Sequence, residues 1–508
     1  MEMKRIVKGT TMKAMDAYTI ETMGIPSLLL MERAALSVVN VLEKEDFTLT
    51  RVLVVAGNGN NGGDGIAIAR LLKEKGIEVD IFMPFKNHRV SKDCQKQIDM
   101  AKKYGLSFLS RYCLKDYSCI VDALFGVGLN RDLNERATKF IKEINDSKIP
   151  VLAVDIPSGI CADSGKVFGD AIRAKVTVTF QFEKLGLLLS PGNVYAGKIK
   201  LAAIGIVDAP IEKEDLFHIN QEVWQFFPET IEPGNKGTFG KLLVIAGSAK
   251  MGGAAYLSAK AGFLTGVGMV RIFTSRENKS FLHTLLPEAI IDVYDDHWDK
   301  KDLEKAIGWA DGIVIGPGLG QDERAREIFL HTITFNGGRL PLLVDADGIN
   351  ILKDCKEVMI NSRVILTPHI GEMSRLVNKE ISFVKENCME LAKTYVKDSE
   401  IVLVLKDAKT VVADKEAIYL HSYENAGLAS AGSGDVLAGI IGGLMTRGCS
   451  LSRSAILGVY LHGLAGMQAR LRYGAEGMLA GDLLEELKTL MLKKGMEKED
   501  VREESYLR

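Results

Sequence analysis

The sequence predicts an α/β protein of two domains, each built on a parallel sheet, and three observations carry that prediction. Apolar runs of strand length lead into glycine clusters and then into helical periodicity, as in "RVLVVAGNGNNGG", "KLLVIAGSAKMGG" and "ADGIVIGPGLG". Strand, glycine turn and helix in that order mark βαβ units and a parallel sheet. At 508 residues the chain exceeds what one hydrophobic core organises. The apolar runs also fall into two series whose glycine loops differ in sequence and spacing, so the halves read as unlike domains rather than as a repeat.

Taken in order, the segment "MKAMDAYTIETMGIPSLLLMERAALSVVNVL" offers apolar helix surface, either to a second subunit or to its own sheet. The first strand series follows: "RVLVVA", "EVDIFMP", "CIVDALFG", "VLAVDIP" and "VTVTFQ", closing near "IKLAAIGIVDAPI". Helical periodicity fills the intervals, for example "AIARLLKEKG". A polar, aromatic stretch, "EKEDLFHINQEVWQFFPETIEPGNKG", then separates the series, placing the boundary around residues 218 to 230 and the domains at 1–217 and 226–500. The second series opens with "KLLVIAG", followed by the helix candidate "AAYLSAKAGFLTG" and the strands "ADGIVIG", "LPLLVDADG" and "RVILTP".

Composition narrows the function. A formal charge of −2 provides no global field for nucleic acid or acidic lipid. No run approaches the ~18 apolar residues of a membrane span, and the opening "MEMKRIVKGTTMKAMDAYTI" lacks the apolar core of a secretory signal. Seven scattered cysteines without a CxxC pair point to unpaired thiols in a reduced cytoplasm. No Cys/His cluster has zinc spacing.

Gly57, Gly59 and Gly62 form a GxGxxG between a strand and a helix expected to start near Gly63. Such glycines let the backbone turn tightly against an anion, toward which the helix N-terminus aims its free N–H groups. Asp80 stands where a ribose-binding acid or a solvated turn aspartate would stand. Asn60, Asn61 and Asp64 crowd a loop in which a plain dinucleotide turn needs small residues. Asp122 and Asp155 close the runs "CIVDALFG" and "VLAVDIPSG", with Ser158 beside the latter. Ligands of parallel sheets gather at the carboxyl ends of strands, and amide, carboxylate and hydroxyl oxygens suit a hard cation there. Capping of local turns is the alternative role for each aspartate.

"GNGNNGGDG", "DALFGVGL" and "DIPSG", in that order, resemble the epimerase domain that repairs hydrated NADH and NADPH, over roughly residues 5 to 217. The resemblance implies a Rossmann-like fold and a potassium ion held by Asn61, Asp122 and Ser158. It implies substrate contacts from Asn60, Asn61, Gly62, Gly63 and Asp64, and from Gly126, Val127, Gly128, Leu129, Asn130, Arg131 and Asp132. Asp155 would touch the hydrated ring as the catalytic acid/base. Animal members carry a lysine in the loop after "DALFG"; Asn130 and Arg131 stand here instead, so Asp155 lacks an assigned proton-transfer partner.

In the second half, "NAGLASAGSGDVLAGIIGGLM" sets a glycine–serine turn before an apolar helix expected near Val436. The turn and the free helix N–H groups make an anion cradle, and Asp435 stands at its mouth, either as a cap or as a base for a hydroxyl. "KGTFGKLLVIAGSAKMGGAA", "GPGLG", "DADGIN", "TPHIGEMSRL", "LKDAKTVV" and "NAGLASAGSGDVLAG" together resemble the nucleotide-dependent NAD(P)H-hydrate dehydratases of the ribokinase-like fold, from about residue 236 to 490. The resemblance implies a hydrate pocket formed by Gly318, His369, Ile370, Gly371, Glu372, Met373, Ser374 and Arg375, with Asp435 as catalytic base. It implies adenine nucleotide contacts from Lys406, Asp407, Ala408, Lys409 and Thr410. Further contacts come from Asn425, Ala426, Gly427, Leu428, Ala429, Ser430, Ala431, Gly432, Ser433 and Gly434. Asp345 and Asp347 would orient a loop, approach magnesium or serve structure alone, and His369 is placed in a loop.

Fused relatives use ADP, so the expected activity is epimerisation of R and S NAD(P)H-hydrate joined to ADP- and Mg2+-dependent dehydration of the S form. A homo-oligomer acting on these small molecules, without nucleic acid or membrane, completes the expectation. "AGSGD" alone is shared with small-molecule kinases, and a glycine loop alone with dinucleotide sensors, so both remain alternatives at this point.

Overall fold

The computed structural model describes residues 3–85, 90–211, 214–229, 234–295, 298–355, 363–422 and 425–492. The chain forms two compact units, Lys4–Glu214 and, apart from the first three residues, Asp215 onward. The second begins ahead of the boundary expected at 218–230, because Leu216–His218 pairs in parallel with Ile418–Leu420 of the second sheet. A three-residue strand with no glycine turn after it carries no periodicity to read. The expected end of the second domain at residue 500 lies outside the described residues.

The N-terminal unit is a seven-stranded sheet in the order Ser107–Leu109, Glu78–Phe82, Arg51–Ala56, Cys119–Ala123, Val151–Val154, Val176–Phe180 and Lys198–Ala202. Every pairing is parallel. Alternation along Arg51–Ala56 builds the layers: Val52 and Val54 pack toward the helices Ser27–Lys44 and Asn60–Glu74, while Leu53 and Val55 pack toward Glu135–Ser147. Helix Ser27–Lys44 thus spends its apolar face on its own unit. Chain order reverses at Arg51–Ala56, which lies between Glu78–Phe82 and Cys119–Ala123. A crevice opens at the carboxyl ends of strands at such a switch point.

The C-terminal unit carries a ten-stranded sheet that follows the same rule. Lys241–Ile245 lies between Met269–Ser275 and Gly312–Ile315 and makes its switch point. Leu342–Val344, Val364–Leu366 and Val402–Leu405 continue in parallel, and Thr410–Ala413 turns back antiparallel. Helices Gly252–Leu264, Ser433–Thr446 and Leu451–Tyr473 bury one face of this sheet. The glycines of "AGIIGG" serve close approach: a side chain at Gly439 would strike the carbonyl oxygen of Ser258 on the facing helix.

Gly439→Ala is therefore expected to destabilise the C-terminal unit by about 1–3 kcal/mol. The measurement is hydrogen exchange across Ser433–Thr446. Exchange as slow as in the parent chain would contradict the packing described.

Candidate active sites

In the N-terminal unit, helix Asn60–Glu74 begins three residues earlier than Gly63, with Gly59 as its N-cap. Asn60 and Asn61 are therefore first-turn residues whose N–H groups have no acceptor inside the helix. Gly57 and Gly62 serve close packing, because side chains there would strike the carbonyl oxygens of Leu124 and Gly57. Gly59 instead faces open space, at the edge of a cavity of about 970 Å3. Asn60, Asn61, Asp64, all of Gly126–Asp132 and Asp155 line this cavity. Gly62 and Gly63 do not: Gly63 packs against Met31 and Cys94, so these two shape the turn from behind.

Asp122 and Ser158 are buried behind the cavity wall. Ser158 donates to Asp122 through its hydroxyl (2.6 Å) and its N–H (2.8 Å), and Leu124 N–H adds a third bond (3.2 Å). Ser158 Oγ in turn accepts from Phe125 N–H (2.8 Å), which ties the "DALFG" and "DIPSG" turns together. These partners are all neutral, and burial pushes the Asp122 carboxyl up to about 6 against their opposing effect. Asn61 lies against Gly126, and its buried Nδ2 has no hydrogen-bond partner among the described residues. The oxygens here, from a carboxylate without countercharge, a hydroxyl and the amide Oδ1 rather than the unpartnered Nδ2, are of the kind that fits a hard monovalent cation. Among the described residues, no group of three or more His, Cys, Asp or Glu side chains is arranged to hold a metal.

Asp80 takes neither role open to it in the sequence. It lies inside the strand Glu78–Phe82, buried, with Arg51 Nη2 at 2.9 Å and the Tyr117 hydroxyl at 3.1 Å. A strand-borne aspartate beside an arginine of the neighbouring strand is read as a turn only if the register is unknown.

Asp155 follows the strand Val151–Val154 in a left-handed conformation, φ +65°. Such strain in a non-glycine residue persists where the surroundings over-determine it. Its N–H donates to Val178 O (2.8 Å). Its Oδ1 accepts from Thr179 Oγ1 (3.2 Å), Phe180 N–H (3.2 Å) and Lys184 Nζ (2.6 Å). Lys184 is fully buried and also donates to Phe180 O (2.7 Å). It sits on the two-residue strand Glu183–Lys184, paired with Ile6–Val7. Sequence reasoning missed this lysine; its signal is the charged pair Glu183–Lys184 set directly before the apolar run in "FEKLGLLL". Asp16 and Lys13, from helix Gly9–Glu21, also line the cavity and were also missed.

The second site lies at the carboxyl edge of parallel strands. Asp345 follows Leu342–Val344, and its Oδ1 accepts from Thr367 Oγ1 (2.7 Å) and Lys406 Nζ (2.8 Å). Lys406 N–H donates to Pro368 O (2.8 Å), which joins "TPHIGE" to "LKDAKT". Residues 406–409 form the turn between the antiparallel strands Val402–Leu405 and Thr410–Ala413. Asp347 Oδ2 accepts from Gly320 N–H (2.9 Å), which joins "DADGIN" to "GPGLG", and Gly318 holds φ +57° beside Met251 and Ala254. Asp345 and Asp347 thus brace loops directly.

His369 is the N-cap of helix Ile370–Val377, not a loop residue: its Nδ1 accepts from Gly371 N–H (2.9 Å), and Glu372 returns a bond to His369 N–H (2.8 Å). Burial holds this imidazole below its ordinary value, with Lys406 and Arg375 acting in the same sense. Ile370, Glu372 and Met373 turn inward, so only His369, Gly371, Ser374 and Arg375 of the expected segment reach the surface. Arg375 Nε bonds Asn350 Oδ1 (3.1 Å).

Helix Ser433–Thr446 starts three residues before Val436, which puts Asp435 in its first turn behind Gly432 at φ +88°. Ser433 is fixed by His462 Nε2 (3.0 Å), and Asn425 caps the short turn Ala426–Ala429. Ser430 Oγ is buried without a hydrogen-bond partner among the described residues. A side chain on Gly434 would come within 3.3 Å of Lys406 Nζ, so this cradle opens beside the Lys406–Asp345 pair. Burial, reinforced by Asp345, pushes the Asp435 carboxyl up to about 7 although Lys406 opposes the shift. A carboxyl titrating near neutrality at the mouth of an anion cradle is equipped to take a hydroxyl proton.

Comparison with known proteins follows this division. Residues 242–489 match the family model described as NAD(P)H-hydrate dehydratase, and residues 27–186 match YjeF-related protein N-terminus. The bifunctional NAD(P)H-hydrate repair enzyme Nnr of Moorella thermoacetica is 33% identical over 511 residues, covering 94% of this chain and 95% of that protein. Its Escherichia coli K12 counterpart is 33% identical over 480 residues, covering 93% and 91%. A solved ribokinase-like superfamily protein from Enterococcus faecalis V583 shares the fold, with TM-score 0.51 at 24% identity over 56% of this chain and 98% of its own. The chain belongs to the family of bifunctional NAD(P)H-hydrate repair enzymes.

Proposed function

We propose that the N-terminal unit interconverts the R and S forms of hydrated NADH and NADPH, and that the C-terminal unit dehydrates the S form at the expense of ADP, releasing AMP and phosphate. The observation that supports this reading best is that each unit sets one carboxylate, Asp155 or Asp435, at the carboxyl end of its sheet beside a helix N-terminus. The scattered cysteines add a cytoplasmic setting to the reading, and the family resemblance adds a homo-oligomer.

Water added across the nicotinamide C5–C6 bond leaves a hydroxyl at C6. Epimerisation requires the C6–O bond to break and to reform on the other face. The ring nitrogen lone pair drives that departure and leaves a cation. The Asp155 carboxylate stabilises this charge, and Lys184, Thr179 and Phe180 N–H aim it. Gly126–Asp132 lie over the ring and the Gly59 turn takes the diphosphate. Potassium, held by Asn61, Asp122 and Ser158, would supply the countercharge that Asp122 lacks.

In the second unit Asp435 takes the C6 hydroxyl proton as that oxygen attacks the β-phosphorus of ADP, and AMP departs. Phosphate then leaves C6, the C5 proton is lost, and the ring double bond returns. Lys406 and the N–H groups of Gly432–Gly434 neutralise charge on the moving phosphoryl group. Magnesium fits as an ion brought by the nucleotide phosphates, with few protein ligands.

Pure S-hydrate with ADP is expected to restore reduced-nicotinamide absorbance with one AMP and one phosphate per turnover. ATP-dependent phosphorylation of a sugar or vitamin precursor, with no absorbance returning, would instead establish a small-molecule kinase. Asp435→Asn should lower kcat/KM for dehydration by about 100-fold or more and leave ADP affinity within a few-fold. Asp435 must be ionised to accept a proton, so kcat/KM should rise with pH and level off above about 7. A profile flat through that range would contradict its role.

Exchanging potassium for lithium or tetramethylammonium should weaken hydrate binding to the first site by about tenfold or more, as loss of an ion beside a buried carboxylate implies. Calorimetric titration measures this. Binding unchanged after exhaustive removal of monovalent cations would remove the roles given to Asn61, Asp122 and Ser158.

A further inference from the structure

Three carboxyl groups face one another in the cavity of the N-terminal unit: Asp16 from helix Gly9–Glu21, Asp64 from helix Asn60–Glu74, and Asp155. The buried cation among them, Lys184, is spent on Asp155 at 2.6 Å. Among the described residues, no hydrogen bond or ion pair ties down the carboxyl of Asp16 or Asp64. Lys13 lines the cavity on the side of Gly128, and Cys94 of helix Lys92–Lys103 faces Asp64 as a neutral thiol, pushed up to about 11. Asp64 is half-buried by exposure, but with no partner and with Asp155 and Asp16 facing it, its charged form is disfavoured.

We propose that Asp64 is the proton donor to the departing C6 hydroxyl in epimerisation, while Asp155 is the fixed anion that stabilises the ring cation left behind. The proposal rests on the epimerase reading of this unit and supplies the partner that Asp155 lacks in the sequence. Two carboxyl groups in one cavity can serve different roles where their environments differ. Three donors, the Lys184 ammonium among them, converge on Asp155 Oδ1, whereas the Asp64 carboxyl meets none among the described residues. Burial holds the Asp64 carboxyl far above its ordinary value, and the charges of Asp155 and Asp16 add to that effect.

The step balances without any further reagent. The Asp64 proton passes to the C6 oxygen, the C6–O electron pair leaves with the resulting water, and the ring nitrogen lone pair forms the N1–C6 double bond. Water then adds to the opposite face of C6, and its surplus proton returns to Asp64.

The test uses the full chain, following R and S hydrate by chromatography in potassium buffer. Asp64→Asn should lower kcat for interconversion by about 100-fold or more, with KM within threefold of the parent. Dehydration of S-hydrate by the other unit should be unchanged, which reports a folded chain. In the parent, kcat should fall as rising pH strips the acid of its proton. Asp16→Asn removes a negative charge beside Asp64 and should move that fall to lower pH. Parent-like kcat and pH profile in Asp64→Asn would overturn the proposal. So would a parent profile flat across the alkaline range, which decides the matter even if Asp64→Asn does not fold. A parent chain that interconverts the epimers no faster than free solution would remove the epimerase reading itself.

Discussion

A lysine with no exposure to solvent must be answered by an anion, and in the N-terminal unit Asp155 answers Lys184 across 2.6 Å. Removing either partner would strand a charge in protein, at a penalty of roughly 3–5 kcal/mol. The pair therefore constrains much around it. It pins the strand Glu183–Lys184 against Ile6–Val7, and it helps hold Asp155 in its left-handed conformation at the end of Val151–Val154. It also directs one carboxylate oxygen inward, so that the rest of the group borders the cavity into which Asn60, Asp64 and Gly126–Asp132 converge.

The two units solve the same placement problem with opposite electrostatics. Both put a carboxylate beside a helix N-terminus at a sheet's carboxyl edge. In the first, a buried lysine and two further donors converge on Asp155, as its proposed place facing a developing cation requires. In the second, Lys406 is engaged by Asp345, and burial lifts Asp435 to about 7, as its proposed role of accepting a proton and later releasing it requires. The chemistry joins the two: a dehydratase selective for one epimer leaves the other behind unless something interconverts them.

Much of this was legible because it rests on local backbone demands. Glycines at positions 57 and 62 are required by the carbonyl oxygens of Leu124 and Gly57, and Gly432 by its positive φ, so the anion turns stand out in the sequence. Asp155 and Asp435 were legible because each directly follows a strand or a glycine turn. The Lys184–Asp155 pair was not, because it joins residues 29 apart through a two-residue strand. Asp80 was misplaced because only strand register brings Arg51 beside it. Helix starts at Asn60 and Ser433 preceded their expected positions because Gly62 and Gly434 sit inside helices, where glycine reads as loop.

Asp155 and Asp435 are proposed to act in series on one damaged coenzyme. Pure R-hydrate, given to the full chain with ADP and Mg2+, tests this most directly. The parent chain should return the reduced-nicotinamide absorbance in full. Asp155→Asn should return it only at the spontaneous epimerisation rate, while S-hydrate is still turned over normally. Full-rate recovery from R-hydrate by Asp155→Asn would contradict action in series.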